Sequence, residues 1–175
     1  MKIEYSLYFA LIALCALFTF AKPLYAQTCR NDITPTTPTQ DFTLHDDSTV
    51  THNKTGLMWM RCALGQSWNG VGCTGNSQSH NWQGALQVAD GFSFAGHDDW
   101  RLPNIKELGS IVEQACISPA INTTAFPATP STNFWSASTD AKSVNFAWLV
   151  AFSTGNGSVT LKSHVYSVRL VRGGE

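Results

Sequence analysis

Apolar and polar residues alternate in short stretches between positions 41 and 60, shift to helical spacing between 82 and 115, and alternate again from 133 onward. The period therefore changes from two to about 3.6 and back, which reads as strands, helices and strands in that order. In the first stretch Phe42-Thr-Leu-His, Thr49-Val-Thr-His and Leu57-Met-Trp-Met60 predict three strands, separated by turns at Asp46-Asp47-Ser48 and from Asn53 to Gly56. Trp82, Ala85, Leu86 and Ala89 share one face of a first helix that Gly91 closes. Asn104, with Glu107 three residues on, has the capping-box pattern that opens a second helix. Leu108, Ile111, Val112 and Ala115 follow at helical spacing. Between the helices, Trp100-Arg101-Leu102 reads as a short strand that Pro103 stops.

The final third predicts strands at Asn133 to Ser138, Asn145 to Phe152, Ser158 to Lys162 and Val165 to Val171, with Gly155-Asn156-Gly157 supplying a hairpin turn. In the last of these, Val165, Ser167, Arg169 and Val171 alternate with Tyr166, Val168, Leu170 and Arg172, so neither face is polar. The expected fold is α+β, two helices packed on one side of an antiparallel β-sheet.

The first 26 residues have a different character. Lys2 gives a basic start, Leu7 to Phe20 is an apolar run too short for a comfortable membrane span, and Leu24-Tyr25-Ala26 ends in a small residue. Residues 1–26 are read as a secretory signal peptide, with no transmembrane segment after cleavage. Cys15 follows Leu14, where a lipoprotein signal wants a small residue, so no lipid anchor is expected. Residues 27–40, with Pro35, Pro38 and five threonines, read as an extended N-terminal segment, and 41–175 as a single domain.

Cleavage after Ala26 removes Lys2, Lys22 and Glu4, which leaves 9 basic and 11 acidic residues and moves the formal net charge from −1 to −2. Nucleic acid binding rests on many Lys and Arg contacts, so no nucleic-acid partner is expected. Charged residues are 13% of the chain, about half the usual share. The surface is neutral and hydroxyl-rich.

Losing Cys15 leaves Cys29, Cys62, Cys73 and Cys116, an even set that reads as disulfides in an exported chain. Of the three pairings, Cys62 with Cys73 across a Gly-rich loop, and Cys29 with Cys116, are favoured. A four-thiolate zinc site needs C-x-x-C spacing that the chain lacks. No metal or cofactor is expected.

Several spaced motifs carry a family resemblance: Thr55-Gly-Leu-Met-Trp59, Arg61-Cys62, Gly65-Gln-Ser-Trp68, Cys73-Thr-Gly75, the helix near Trp82, Asp99-Trp-Arg-Leu-Pro-Asn104 with Glu107-Leu108, Phe134-Trp-Ser-Ala-Ser138 and Val168-Arg-Leu-Val-Arg172. Together they resemble the Lcl C-terminal domain family from about Phe42 to Arg172. That family takes its name from the C-terminal domain of the Legionella collagen-like adhesin. The order of elements is also similar to C-type lectin-like domains and, remotely, to the sulfatase-modifying enzyme fold. The resemblance implies a C-type lectin-like topology and an adhesin-like role. The chain has neither a Glu-Pro-Asn nor a Gln-Pro-Asp sugar-and-calcium signature, and no Gly-X-Y stalk. The adhesin binds sulfated glycosaminoglycans. A comparable basic patch here would have to come from Arg30, Lys54, Arg61, Arg101, Lys106, Lys142, Lys162, Arg169 and Arg172, and the acidic net charge turns the expectation toward neutral glycans.

Enzyme motifs are missing: there is no Gly-x-Ser-x-Gly, no His-Glu-x-x-His and no phosphate loop, so catalysis is not expected. His97-Asp98-Asp99 is the sharpest candidate for metal or acid–base work, against which stands a solvated turn with Asp99 bonded to backbone or to Arg101. The turn is the reading taken. Four of the six tryptophans, Trp59, Trp100, Trp135 and Trp148, fall in predicted strands and are assigned to the core. Trp68, on the cysteine loop with Gln66 and Asn69, is the candidate ligand contact, with Trp82 or Phe134 beside it. The chain reads as an exported, periplasmic or extracellular, disulfide-bonded recognition module whose partner is a glycan or an envelope protein. A structural or assembly protein of the envelope and an unrecognised hydrolase are the other two readings.

Overall fold

A computed structural model describes residues 26–173, so the predicted signal peptide lies outside the described residues except for Ala26. In chain order its elements are β1 (Thr28–Cys29), β2 (Phe42–Leu44), β3 (Thr49–His52), β4 (Leu57–Met60), β5 (Ser67–Trp68), β6 (Cys73–Thr74), β7 (Ser79–His80), α1 (Trp82–Ala89), α2 (Ile105–Ser110), β8 (Cys116–Ile117), β9 (Asn133–Asp140), β10 (Ser143–Ala151), β11 (Asn156–Leu161), β12 (Tyr166–Ser167) and β13 (Val171–Arg172). The class is α+β, but the single antiparallel sheet becomes two larger sheets. One has the order β13-β4-β3-β2, and the other the order β11-β10-β9-β12-β7 with β12 parallel to β9. Two-stranded pairs join β1 to β8 and β5 to β6.

The alternation in β2 to β4 buries Phe42, Val50, Leu57 and Trp59. These pack with Leu108, Ile111, Phe126, Phe134, Val150 and Phe152 in one core cluster. A second cluster gathers Ala85 and Ala89 of α1 with Trp100, Leu102, Trp135, Ala147, Leu149, Val168 and Leu170. Neighbouring residues Phe134 and Trp135 thus enter different clusters, because successive side chains of a strand point to opposite faces and both faces of β9 are apolar. Leu108 of α2 and Ala85 of α1 follow them. The helices therefore pack on opposite faces of the five-stranded sheet, and not on one side as the sequence pattern suggests.

The predicted last strand is broken in two. β12 belongs to the five-stranded sheet and β13 to the four-stranded one, with Val168, Arg169 and Leu170 crossing between them, fully buried. Leu64 N–H donates to Val168 O (2.9 Å) and Met60 N–H to Leu170 O (3.2 Å). Arg169 Nη1 donates to the carbonyls of Met60 and Arg61, and Nη2 to Thr129 Oγ1 (2.7 Å); its guanidinium lies 4.9 Å from the Phe126 ring centroid. Burial pushes the guanidinium down to about 9. The lack of a polar face in this segment reflects a crossing with both sides inside.

Trp100-Arg101-Leu102 forms no strand. Only an isolated bridge links Arg101 to Val171, while Trp100 is buried and donates from Nε1 to Phe94 O (2.9 Å). The capping box at Asn104 and Glu107 is present, but α2 ends at Ser110 and does not run on to Ala115. Val112 instead bridges Ile121, and Glu113 turns inward. Its carboxylate accepts the N–H groups of Thr36 (2.9 Å), Thr37 (2.8 Å) and Ala115 (3.0 Å). Residues 27–40, with a turn at Asn31–Asp32 and the start of a 3-10 turn at Thr39–Asp41, are docked by Glu113, by Gln27 Nε2 on the carbonyls of Pro119 and Ile121, and by the Cys29–Cys116 disulfide across the β1–β8 pair. The second disulfide joins Cys62 to Cys73, with Cα atoms 5.4 Å apart.

Candidate functional site

The start of α1 builds a small polar hollow. Asn81 caps the helix by accepting Gly84 N–H (2.8 Å), which fixes Trp82 as the first helical residue. Trp82 is half-buried. Its backbone N–H donates to Lys162 O (3.0 Å) and its indole N–H to Ser136 O (2.9 Å). The Lys162 ammonium sits 4.1 Å from the indole ring centroid, a cation–π contact across the end of β11. A cavity of about 320 Å³ is lined by Asn81, Trp82, Gln83, Lys162 and Ser163. Among the described residues the side chains of Gln83 and Ser163 make no hydrogen bond, and both line the hollow. One residue on, exposed His164 places Nδ1 2.8 Å from Thr160 Oγ1 and 3.3 Å from Tyr166 Oη. Tyr166 in turn packs edge-on against Trp135. With the Lys162 ammonium over one face of its ring, the half-buried indole and the amide, hydroxyl and ammonium groups around the hollow can meet the C–H and hydroxyl groups of a sugar.

The cysteine loop is committed differently. The Arg61 guanidinium stacks 4.1 Å from the Trp68 ring centroid while donating from Nε to Ala125 O (3.2 Å) and from Nη2 to Thr124 O (2.9 Å). Gln66 Oε1 accepts Ala63 N–H (3.1 Å), and its Nε2 donates to Ala128 O (3.2 Å). Asn69 Oδ1 accepts the N–H groups of Val71 and Gly72. Gln66 and Asn69 thus hold the loop's shape, and Trp68 is its partly exposed side. Trp68 and Trp82 share no neighbour in these contacts, so the structure does not bring the four candidate residues into one site. Phe134 is buried in the core, out of reach of a ligand, whereas Trp148, expected inside, is only half-buried.

Most of the nine candidate cations are spoken for. Arg30 pairs with Asp32, Lys54 with Asp41, Arg101 with Glu107 and Arg172 with Asp99; Arg61 and Arg169 are buried. Of the nine, those that are neither buried nor in an ion pair among the described residues are Lys106, Lys142 and Lys162, too few for the arginine-rich grip that sulfate favours. The Arg172 guanidinium lowers the Asp99 carboxyl, so the partner of Asp99 is Arg172 and not Arg101. Phe94 and His97 exchange backbone hydrogen bonds around the turn that leads to Asp98. Among the described residues no three His, Cys, Asp or Glu side chains gather as a metal site, and no helix is long and apolar enough to cross a membrane.

A larger cleft, about 480 Å³, lies between residues 27–39 and 113–124, but its polar side chains are turned to internal work. Gln27 and Glu113 bond the backbone as above, and Asn122 Nδ2 donates to Thr37 O and Thr39 Oγ1. The hollow at Trp82 is smaller and better equipped to recognise something. Lys162, Ser163, His164 and Tyr166 carry no motif of their own. The one signal in sequence is a polar Lys-Ser-His turn between two strands, and nothing local says that it meets Trp82.

The family model of the Lcl C-terminal domain matches residues 48–172. No curated protein matches the chain.

Proposed function

This chain belongs to the Lcl C-terminal domain family, and from that premise we propose that it is an exported recognition module that binds neutral glycans at the Trp82 hollow and performs no catalysis. Family membership and two disulfides fit an extracellular module. The observation that carries the ligand class is the half-buried Trp82 indole beside the Gln83 and Ser163 side chains that line the hollow. Ion pairing or burial of six of nine cations turns the reading away from sulfated ligands.

A glycan array probed with the mature protein at low and moderate salt tests this. Neutral glycans should be retained with little salt dependence, and Trp82→Ala should abolish binding while the protein stays folded, at some cost in melting temperature because the ring also packs on the second core cluster and donates to Ser136 O. Loss on Trp68→Ala alone would move the site to the cysteine loop. A steep salt dependence would replace the neutral ligand by a sulfated one, and an array with no binding would favour the envelope-assembly reading.

A further inference from the structure

On the far side of the five-stranded sheet, β11 is an edge strand. The other sheet edges are short: β2 has three residues, and β7 and β13 have two each, whereas β11 has six. Lys162 N–H donates to Asn145 O, so the N–H at 162 faces β10, and with it the backbone groups of Thr160 and Ser158. Because these groups alternate along a strand, those of Leu161, Val159 and Gly157 face away from β10, where no described strand pairs with them; Leu161 O accepts His164 N–H (3.0 Å), so the open groups are those of Val159 and Gly157 and the Leu161 N–H. Cross-strand pairing puts Val159 beside Trp148 and Leu161 beside Phe146 on one face. Val159 is 39% exposed, Leu161 41%, and Val144, further along that face, 83%. The edge thus combines open backbone groups with an apolar stripe. From Asn156 to Leu161 it has no charge, no proline and no bulge against β10, the usual devices that keep such an edge from pairing.

We propose that the outer edge of β11 pairs antiparallel with β11 of a second copy, about a two-fold axis at Val159. An axis perpendicular to the sheet keeps each face on its own side, which requires a residue to oppose itself, and Val159 is a central residue whose N–H and C=O point outward. In this register Leu161 opposes Gly157 of the partner, and Lys162 opposes uncharged Asn156, so the nearest cations do not meet. The two apolar stripes become one. The pairing is independent of the Trp82 hollow, and a six-residue edge makes a contact below the roughly 800 Å² per partner of a standard interface, hence a weak dimer.

Sedimentation of the mature protein from about 1 μM to about 1 mM should show a monomer converting to a dimer. Val159→Lys and Val159→Glu each place like charges opposite one another and should weaken association at least tenfold, while an equimolar mixture of the two should restore it. Val159→Pro removes an N–H that only the partner would use and should abolish the dimer with the monomer still folded, which keeps the test open if a charged variant misfolds. A wild-type protein that stays monomeric throughout, a Val159→Lys protein that associates as tightly as wild type, or a mixture no tighter than its components would overturn the proposal.

Discussion

Replacing Glu113 with Ala should loosen the N-terminal segment by about 2 to 6 kcal/mol. Glu113 is 4% exposed and Thr37 3%, and Ala115 is also buried. The carboxylate receives the backbone N–H groups of Thr37 and Ala115, which water cannot reach in its absence, and that of Thr36, which is exposed and can be rehydrated. Two buried donors left unsatisfied at about 1 to 3 kcal/mol each give the range, the Thr36 bond contributing little. Glu113→Gln keeps one acceptor oxygen and should lose about half as much. Burial alone raises this carboxyl, but the N–H groups of Ala115, Thr36 and Thr37 and the Thr37 hydroxyl lower it by more, so it titrates below the ordinary glutamate range. A carboxyl depressed on folding contributes its full stability above its unfolded value and loses it as pH falls through the folded value. The gap between wild type and Glu113→Gln should therefore be constant near neutrality and close in acid. Denaturant unfolding with disulfides intact, with hydrogen exchange at the Thr37 amide, reads both effects. A Glu113→Ala loss under about 1 kcal/mol, or a gap that is unchanged in acid, would refute the account.

Trp100→Ala should cost about 3 to 5 kcal/mol against about 1 kcal/mol for Asn104→Ala; thermal melts that reverse this order would contradict the core role of the ring. Gly155 has φ +82°, and an added Cβ would lie 2.8 Å from Val112 Cγ1, so Gly155→Ala should destabilise by about 2 to 4 kcal/mol through left-handed backbone and overpacking together. Non-reducing peptide mapping should recover Cys29 with Cys116 and Cys62 with Cys73, and alkylation of Cys62 in the native, non-reduced protein would rule out the second bridge.

What the sequence could show was local. The capping box needs only Asn104 and Glu107, and both ends of the opening hairpins are marked by turn residues, so these elements are legible. The end of α2 is not, because the apolar spacing that continues to Ala115 serves a bridge to Ile121 and a packed turn equally well. Arg169 reads as a surface cation until the carbonyls of Met60 and Arg61, more than a hundred residues away, are seen to surround it. The same holds for the candidate site. Trp82 could be singled out as an aromatic at a helix start, but Lys162 above its ring is fixed by the β10–β11 hairpin, which no pattern near either residue encodes. Trp148 reads as a core residue from its strand, and a strand pattern does not say that its sheet ends one strand later.

The crossing at Val168 to Leu170 also sets an order of events. β12 completes one sheet and β13 the other, and the backbone between them closes on Met60 and Leu64. These are contacts of long sequence separation, so loop-closure entropy falls due before they form. Neither sheet can finish until residues 166–172 are present. A chain that crosses a membrane unfolded would thus carry its own delay, staying threadable until residues 166–172 have passed.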